Sequence, residues 1–381
     1  MTEKLYDNDS HLKEFTATVI KSGENPNGSY AVLDKTAFFP EEGGQPCDIG
    51  FLDGIRVTDV QITDGVVYHY TEKPLSEGQT VKGEIDFCRR FDFMQNHSGE
   101  HIISGIVHSL FGFDNVGFHL SETEMTMDFD GMLTREDLQK IEKSANEVIY
   151  RNARFNCYYP ENFKELEYRS KLDLKENVRI VEIENCDRCA CCAPHVNSAA
   201  EIGIIKILDF CKNKGGVRVW AVCGKRALKD YNERYFNSSL ISSMLCAPQN
   251  EIAKAVEKQN DNIAELKYQI GALKNRIIAD FVNLNKTEKP LSVLFSEDFS
   301  MKELQTCADM LYKENGGIRA VLCGKDGEYL FAVCGESQKL DSWFKSFKEK
   351  LSVRGGGRGG MYQGTILNTK QEILGVINEL D

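Results

Sequence analysis

The stretch that decides the fold of the first half of this chain is residues 96–110, which read NHSGEHIISGIVHSL. His97 and His101 are four residues apart, a spacing that places both side chains on one face of an α-helix. The apolar residues that would bury the opposite face of this helix are Ile102, Ile103, Ile106, Val107 and Leu110. Gly112 is predicted to end it. The stretch therefore predicts an amphipathic helix that presents two imidazoles to another segment.

A second pair of candidate ligands lies in the stretch Cys191-Cys192-Ala193-Pro194-His195. Pro194 favours a turn here rather than the interior of a helix. Imidazole nitrogens and thiolates are ligands that Zn²⁺ prefers, and a zinc site fills about four positions. A metal ion would connect the two distant segments across the fold. The predicted zinc ligands are His97, His101, Cys191 and His195.

The remaining histidines and cysteines carry weaker signals. Three of the seven histidines fall in the two motifs, and the other four are interpreted as structural, namely His11, His69, His108 and His119. Cys186 and Cys189 form a C-x-x-C pair, but a separate four-cysteine zinc site would need another such pair outside this cluster. A redox dithiol is an alternative interpretation of the pair. Cys189 and Cys192 stay open as additional ligands, and the other nine cysteines are interpreted as small core residues.

Composition and charge limit the possible functions. With 381 residues the chain is long enough for two or three domains. The formal net charge of −12 argues against nonspecific coating of nucleic acid, although a local basic face is enough for RNA binding. No apolar stretch approaches the roughly 20 residues needed to cross a bilayer, and Met1–Glu14 does not resemble a signal peptide. We therefore expect a cytoplasmic protein with reduced thiols and no membrane partner.

The pattern of the whole chain predicts an α+β fold in four parts. Residues 1–90 alternate β-rich segments with turns such as Asp64-Gly65, which predicts a small β-barrel or a curved antiparallel sheet. Residues 91–235 mix helices and strands around the candidate zinc ligands. Residues 236–290 form a helical or coiled-coil segment, and residues 291–381 form a small α/β domain.

Two features of the second half indicate partners. Between Gln249 and Asn285, apolar residues recur at alternating spacings of three and four, with Gln259 at one position of the stripe, which predicts a long helix and a homodimer. Between Arg354 and Gly364, six glycines and two arginines predict a loop that presses backbone N–H groups and guanidinium groups onto phosphate. The residues predicted to contact nucleic acid are Arg354, Gly355, Gly356, Gly357, Arg358, Gly359 and Gly360.

Taken in order along nearly the whole chain, these motifs resemble the editing half of alanyl-tRNA synthetase and its free-standing relatives, the AlaX deacylases. Thr36 to Gln45 is similar to that family's turn ending in Gly-Gly-Gln, and both histidine-containing motifs match its zinc motifs. The helical segment and the glycine-rich stretch are similar to the synthetase's C-terminal domain, called DHHA1. The chain departs from the family at Glu42, where a third glycine is usual, and at Cys192-Ala193-Pro194, where Gly-Gly-Thr is usual.

The resemblance implies zinc-dependent hydrolysis of misacylated tRNA(Ala) at its acceptor end, with serine as the expected amino acid and glycine as the second candidate. In this interpretation the Thr36 hydroxyl recognises the seryl side chain, while Gly43, Gly44 and Gln45 line the pocket. About thirty residues precede the editing region, so we expect no aminoacylation domain. The chain contains no Asp-His-His sequence, so the phosphoesterase that shares the last domain is not expected either. Whether zinc positions the substrate or activates water stays open.

Two other functions are compatible with parts of the sequence. His97-Ser98-Gly99-Glu100-His101 also matches the H-x-x-E-H motif of a class of metalloproteases, with Glu100 as the general base. That interpretation leaves the cysteine–histidine stretch unexplained. A non-enzymatic tRNA-binding dimer with a purely structural zinc is the other alternative.

Overall fold

The structure is a computed structural model that describes residues 1–170 and 178–380. Its contacts divide the chain into two compact units, Met1–Leu240 and Ile241–Asp381. Helices and several separate sheets occur together, which confirms the predicted α+β class. The division into four domains is finer than these two units and stays a prediction. None of the described helices combines the length and the apolar character needed to span a membrane.

The first unit begins with a closed β-barrel. Its elements are β1 (Glu3–Lys4), α1 (Leu5–Asn8), β2 (Glu14–Asn25), β3 (Gly28–Leu33), β4 (Lys35–Thr36), β5 (Gly50–Leu52), β6 (Ile55–Thr63), β7 (Val66–Thr71) and β8 (Thr80–Ile85). Six strands close the barrel in the order β2-β3-β7-β6-β5-β8, and β1 pairs with β4 in parallel outside it. The antiparallel strands expected from the turn-separated β-rich segments are therefore present.

Local sequence explains why this barrel closes. Asp64 and Gly65 both have positive φ, as a type I′ hairpin turn requires, so β6 returns directly as β7. In β8, buried and exposed residues alternate, which directs Val81 and Ile85 inward. Gly83 lies between them, and an added Cβ there would lie 2.2 Å from the Phe15 ring. A glycine at this position therefore lets the large ring fill the barrel.

A central helix and two sheets complete the first unit. The elements are α2 (Phe87–Phe111), β9 (Asn115–Leu120), β10 (Met125–Phe129), α3 (Arg135–Tyr150), β11 (Phe155–Tyr158), β12 (Ile180–Ile183), β13 (Asp187–Ala190), β14 (Ile205–Asn213), β15 (Gly216–Cys223) and α4 (Gly224–Leu245), whose last residues belong to the second unit. One sheet has the order β14-β15-β10-β9 and the other has the order β11-β12-β13. Two short 3₁₀ helices, Phe163–Glu165 and Ala199–Ile202, lie between these strands.

Helix α2 forms the centre of this unit. Its N-cap Asp86 accepts a hydrogen bond from the backbone N–H of Arg89, and Gly112 ends it in the left-handed conformation, as predicted. Every residue from Phe93 to Val107 is buried. The helix is therefore enclosed on all sides, and its polar residues must find partners within the protein.

The second unit contains a long helix and a five-stranded sheet. After a 3₁₀ turn at Gln249–Glu251 come α5 (Ile252–Leu284), β16 (Leu291–Ser296), α6 (Met301–Asn315), β17 (Ile318–Lys325), β18 (Glu328–Cys334), α7 (Ser337–Lys350), β19 (Val353–Arg358), β20 (Met361–Ile366) and α8 (Lys370–Leu380). The strand order is β16-β17-β18-β20-β19, with only the β16–β17 pair parallel. Near its C-terminal end α5 buries Ile278 and Val282 against α6.

The glycine-rich stretch is a β-hairpin and not the predicted loop. Residues Val353–Arg358 form β19 at the edge of the sheet, and Gly359 and Gly360, both with positive φ, make the turn into β20. Glycine is unfavourable in strands, so composition alone favoured a loop. In this hairpin, β19 and β20 approach so closely that glycine is required, because an added Cβ at Gly357 would lie 2.0 Å from the Met361 carbonyl oxygen.

Candidate metal centre

The four predicted ligands meet in one buried cluster. One potential ligand atom from each of His97, His101, Cys191 and His195 lies within 4.8 Å of the others. The Cys191 Sγ is 3.6 Å from His97 Nε2 and 3.4 Å from His195 Nε2. The three imidazole rings contact one another, with centroid distances of 4.7 to 5.4 Å. Three imidazoles and one thiolate make a donor set that suits zinc.

Hydrogen bonds behind the cluster orient two of the rings. His97 Nδ1 lies 2.9 Å from Gln45 Oε1, and His195 Nδ1 lies 3.0 Å from Ser98 Oγ. When each Nδ1–H donates to its oxygen, the Nε2 lone pairs of both rings face the Cys191 sulfur. Partners of this kind fix the tautomer and the orientation of metal-binding histidines. Gln45 therefore acts through His97, and Ser98 is a positioning residue that the sequence analysis missed.

The third ring, His101, faces a carboxylate. Its Nδ1 is 3.8 Å from Asp187 Oδ2 and makes no hydrogen bond to the described residues. Asp187 accepts two hydrogen bonds from Arg169, at 2.8 and 2.6 Å. His101, Asp187 and Cys189 also form a second group of potential ligand atoms within 4.8 Å of one another. Asp187 lies inside the C-x-x-C pair, but nothing in that pattern indicated its contact with His101.

Neighbouring charges shift the ionisation of the cluster. Burial disfavours the Cys191 thiolate, but the imidazoles of His97 and His195 outweigh that effect and hold the pKa of the thiol well below its ordinary value. Burial lowers the pKa of His195 to about 3. Burial also disfavours the charged form of His101, yet Glu100 and Asp187 raise its pKa well above the ordinary value. A thiolate and a neutral His195 are the forms that bind metal.

A tight turn brings the Gly-Gly-Gln motif to the cluster. Glu42 and Gln45 exchange backbone hydrogen bonds of 3.3 and 3.1 Å, and Gly43 and Gly44 between them both have positive φ. The Gly44 carbonyl accepts a hydrogen bond from Leu120 N in β9, and an added Cβ at Gly44 would lie 2.9 Å from the Phe118 ring. Gly44 therefore allows this strand to pack on the turn.

Buried ion pairs and hydrogen bonds hold the two loops in place. Arg90 of α2 pairs with Asp48, which also accepts a 2.6 Å hydrogen bond from the backbone N–H of Phe39, so the segment that carries the turn is attached to the helix. On the other side, Arg179 donates to the carbonyl oxygens of Cys191 and Ala193 at 3.1 and 2.8 Å. Since the guanidinium group fixes these carbonyls, the cysteine–histidine loop is held without regular secondary structure.

The N-terminal segment adds a further attachment to this loop. Ser10 Oγ donates to the His195 carbonyl oxygen at 2.7 Å. His11, interpreted from sequence as structural, lies with its Nε2 2.7 Å from Glu201 Oε2. Residues before the barrel thus help to position a candidate ligand far along the chain.

A cavity of about 330 Å³ opens beside the cluster. Its wall includes His97, His101, Cys191, Glu42, Gly43 and Tyr159. Of the predicted substrate residues, only Gly43 is on this wall. Thr36 is fully buried, and its hydroxyl is 2.8 Å from His69 Nε2. Gln45 lies behind His97, and Gly44 lies against Phe118.

The residues predicted to contact nucleic acid belong to the other compact unit. Arg354, Arg358 and the glycines between them are exposed along β19. At the hairpin turn, Gly359 is exposed and Gly360 is half-buried. The guanidinium groups and the open strand edge are therefore accessible to a ligand.

Comparisons with known proteins agree with the motifs. Residues 9–89 match the family described as tRNA synthetases class II (A), and residues 178–219 match the threonyl and alanyl tRNA synthetase second additional domain. Alanyl-tRNA editing protein AlaX-L of Pyrococcus horikoshii is 28% identical over 100% of this chain and 98% of its own length. Alanyl-tRNA editing protein Aarsd1 of Rattus norvegicus is 26% identical over 98% of this chain and 97% of its own length.

Longer relatives also match. Alanine–tRNA ligase of Ignicoccus hospitalis is 31% identical over 75% of this chain, and that of Pyrococcus furiosus is 31% identical over 96% of this chain. The chain spans only 33% and 42% of the lengths of these two ligases.

Proposed function

We propose that this chain, a full-length relative of the alanyl-tRNA editing proteins, is an aminoacyl-tRNA hydrolase that removes a wrong amino acid from tRNA(Ala) in trans. Serine is the expected amino acid and glycine the second candidate. The observation that carries the proposal is the convergence of three imidazoles and a thiolate in one cluster, of which His97, His101 and Cys191 border an adjacent cavity. The cavity volume suits a small aminoacyl ester better than a folded protein substrate.

The reaction is the hydrolysis of an ester. Water adds to the carbonyl carbon, the bond from that carbon to the ribose oxygen breaks, and the products are a free amino acid and a tRNA with a free terminal hydroxyl. Holding the ester and a water molecule in the correct geometry supplies much of the rate enhancement in such a reaction. In this chain the cavity wall formed by Gly43 and Tyr159 would hold the aminoacyl end, while Gln45 and Ser98 keep the two histidine rings in place.

We propose zinc as the metal held by His97, His101, Cys191 and His195. Bound zinc supplies positive charge that polarises an ester carbonyl or acidifies water. Four protein ligands are typical of a closed structural site, so catalysis requires either a fifth ligand position or release of one side chain. The hydrogen bonds to Gln45 and Ser98 hold His97 and His195 firmly, whereas His101 Nδ1 makes no hydrogen bond within residues 1–170 and 178–380 and lies 3.8 Å from Asp187.

We further propose that the exposed face of α5 forms a homodimer. Val256, Ile263, Leu266, Ile270, Leu273 and Ile277 on this face are 41% to 57% exposed. In a heptad repeat, Val256, Ile263, Ile270 and Ile277 occupy one of the two core positions, and Leu266 and Leu273 occupy the other. Parallel two-stranded coiled coils favour β-branched residues at the first core position and leucine at the second. The β19–β20 hairpin of the same DHHA1-like domain would then contact the tRNA backbone through Arg354 and Arg358.

The structure disfavours the metalloprotease interpretation. Glu100 is buried, and its Oε1 accepts hydrogen bonds from Ser104 Oγ at 2.7 Å and from Asn115 Nδ2 at 2.5 Å. Glu100 borders the cavity, but hydrogen bonds constrain its carboxylate in the interior of α2, which disfavours a role as general base on a peptide. A purely structural zinc remains the competing proposal, because the four-ligand set is closed.

The decisive experiment incubates the purified full chain with tRNA(Ala) charged with serine, glycine or alanine. We expect rapid release of serine, slower release of glycine, little release of alanine, and loss of serine and glycine release in His97→Ala with unchanged circular dichroism. Glu100→Gln should keep most of the activity, whereas a protease would lose it. Intact esters with all three substrates, at full metal occupancy, would contradict the proposal and favour the structural zinc.

A further inference from the structure

Glu42 places a carboxylate in the cavity beside the candidate metal ligands. The family that the motifs resemble usually has a glycine here, so this side chain distinguishes the present chain. Glu42 is the first residue of the tight turn whose glycines, Gly43 and Gly44, bring the segment close to the cluster. The turn therefore fixes the backbone from which the carboxylate projects.

The Glu42 Oε2 atom is enclosed, and among the described residues no group donates a hydrogen bond to it. Lys4 lines the same cavity but does not make that contact. A carboxylate oxygen that is shielded from water and has no hydrogen-bond donor is unfavourable. On the wall of a cavity, such a side chain is suited to a cationic ligand that supplies the missing hydrogen bond.

The charges on the cavity wall leave Glu42 available to a cation. Two of the cationic side chains on this wall are paired, Arg169 with Asp187 at 2.6 Å and Arg179 with Asp7 at 3.6 Å. The Glu42 carboxylate therefore favours a positively charged group on the ligand that enters.

We infer that the Glu42 carboxylate binds the protonated α-amino group of the aminoacyl ester. This inference rests on the proposed function and identifies the substrate class as esters of amino acids whose amino group is free. An ammonium group offers three donors, and a charge-assisted hydrogen bond in an enclosed site is among the stronger polar contacts. Aminoacyl groups blocked at nitrogen, such as N-acetyl or N-formyl forms, would leave the carboxylate unpaired and be rejected.

The test measures binding without hydrolysis. The probes are adenosine carrying serine through a non-hydrolysable 3′-amide, and the same compound acetylated at the serine nitrogen. Calorimetric titration compares the unaltered chain with Glu42→Gln, which keeps the size of the side chain, and with Glu42→Gly, which restores the residue usual in the family. Glu41→Gln is the matched control, because Glu41 is the exposed neighbour that accepts a hydrogen bond from Gln61 outside the cavity.

We expect the unaltered chain and Glu41→Gln to bind the free amine about 10- to 100-fold more tightly than the acetylated form. In Glu42→Gln and Glu42→Gly this preference should disappear. Equal binding of the amine by Glu42→Gln and the unaltered chain would overturn the inference, as would an absence of binding to the unaltered chain. Because the probes are not hydrolysed, intact binding with no deacylase activity would contradict the proposed function and leave the assignment of Glu42 supported.

Discussion

Gln45 and His97 are 52 residues apart in sequence, yet Gln45 Oε1 and His97 Nδ1 are separated by 2.9 Å. The amide thus connects the Gly-Gly-Gln turn to the helix that carries two candidate metal ligands. Sequence reasoning assigned Gln45 to the substrate pocket, whereas the structure places it behind the first histidine. Replacing Gln45 is therefore expected to change metal affinity more directly than substrate selection.

Replacing Gln45 by Leu should weaken metal binding by about 10- to 100-fold, because loss of such an acceptor frees the tautomer and the orientation of the ring. Gln45→Glu keeps an acceptor and should retain tighter binding. Competition with a chromophoric chelator measures the affinity. Gln139→Leu, on the exposed side of α3, is the control and should behave as the unaltered chain. Unchanged affinity in Gln45→Leu would show that the hydrogen bond has no orienting role.

The two adjacent cysteines should behave differently when each is replaced by serine. Cys191→Ser removes a member of the four-ligand group and should abolish tight metal binding, whereas Cys192→Ser should retain it because Cys192 only lines the cavity. Elemental analysis gives the stoichiometry, and thiolate-to-cobalt absorption of the Co²⁺ form reports the sulfur ligand. Metal binding by Cys189→Ser shows whether the second group of potential ligands, His101, Asp187 and Cys189, contributes to metal affinity. Loss of metal from Cys192→Ser with Cys191→Ser unaffected would reverse the assignment.

Stability should depend on pH through His69. Burial inside the barrel lowers the pKa of His69 from 6.5 to about 4. Between these two values the unfolded chain binds a proton that the folded chain does not, so stability falls as pH is lowered, by about 1.4 kcal/mol per unit and about 3 kcal/mol in total. Urea unfolding at pH 7 and pH 5 measures the change. His69→Gln lacks the titrating group and should lose less stability on acidification; parallel losses in both proteins would contradict the assignment.

Adjacent glycines in the edge strand should respond differently to alanine. An added Cβ at Gly357 meets the Met361 carbonyl oxygen at 2.0 Å, whereas one at Gly356 meets no atom within 4 Å. Gly357→Ala should therefore destabilise the second unit by about 1–3 kcal/mol, and Gly356→Ala by less than about 1 kcal/mol. Thermal unfolding followed by circular dichroism checks both. Equal effects would mean that the hairpin is not formed as described.

The proposed dimer makes a separate prediction about α5. Leu266→Glu introduces a charge at a 56% exposed seam position and should convert a dimer to a monomer in sedimentation velocity experiments. Tyr268→Glu changes a residue on the outer side of the helix, 79% exposed, and should leave the dimer intact. A monomeric unaltered chain would refute the dimer directly.

Local patterns were sufficient to predict helices α2 and α5, and the long helix expected between Gln249 and Asn285 occupies Ile252–Leu284. Helix α3 has equally local causes, because a capping box between Thr134 and Asp137 starts it and an apolar stripe sustains it. Gly112 ends α2 because glycine readily adopts the left-handed conformation found there. Where capping residues and periodicity agree, a few neighbouring residues determine the boundary.

Contacts between distant residues were not predictable in this way. Strand β9 has no strong pattern of its own, and it forms because β10 and the Gly44 carbonyl supply its hydrogen bonds. Likewise, Asp187 reaches His101 only because β13 lies beside α2, and no spacing rule connects the two residues. The four candidate ligands were recognised because zinc chemistry limits the residue types, whereas Ser98 and Arg179 have ordinary identities and acquire their roles through position alone.

The separation of the candidate ligands along the chain has a consequence for the lifetime of the protein. His97 and Cys191 are 94 positions apart, so one bound ion acts as a cross-link that only the folded first unit can make. Free metal at about a thousand times the dissociation constant would add about 4 kcal/mol to the free energy of unfolding, a large part of what holds a domain together. Chains made during zinc starvation would then unfold and be degraded sooner, so metal supply would set how much of this protein a cell keeps.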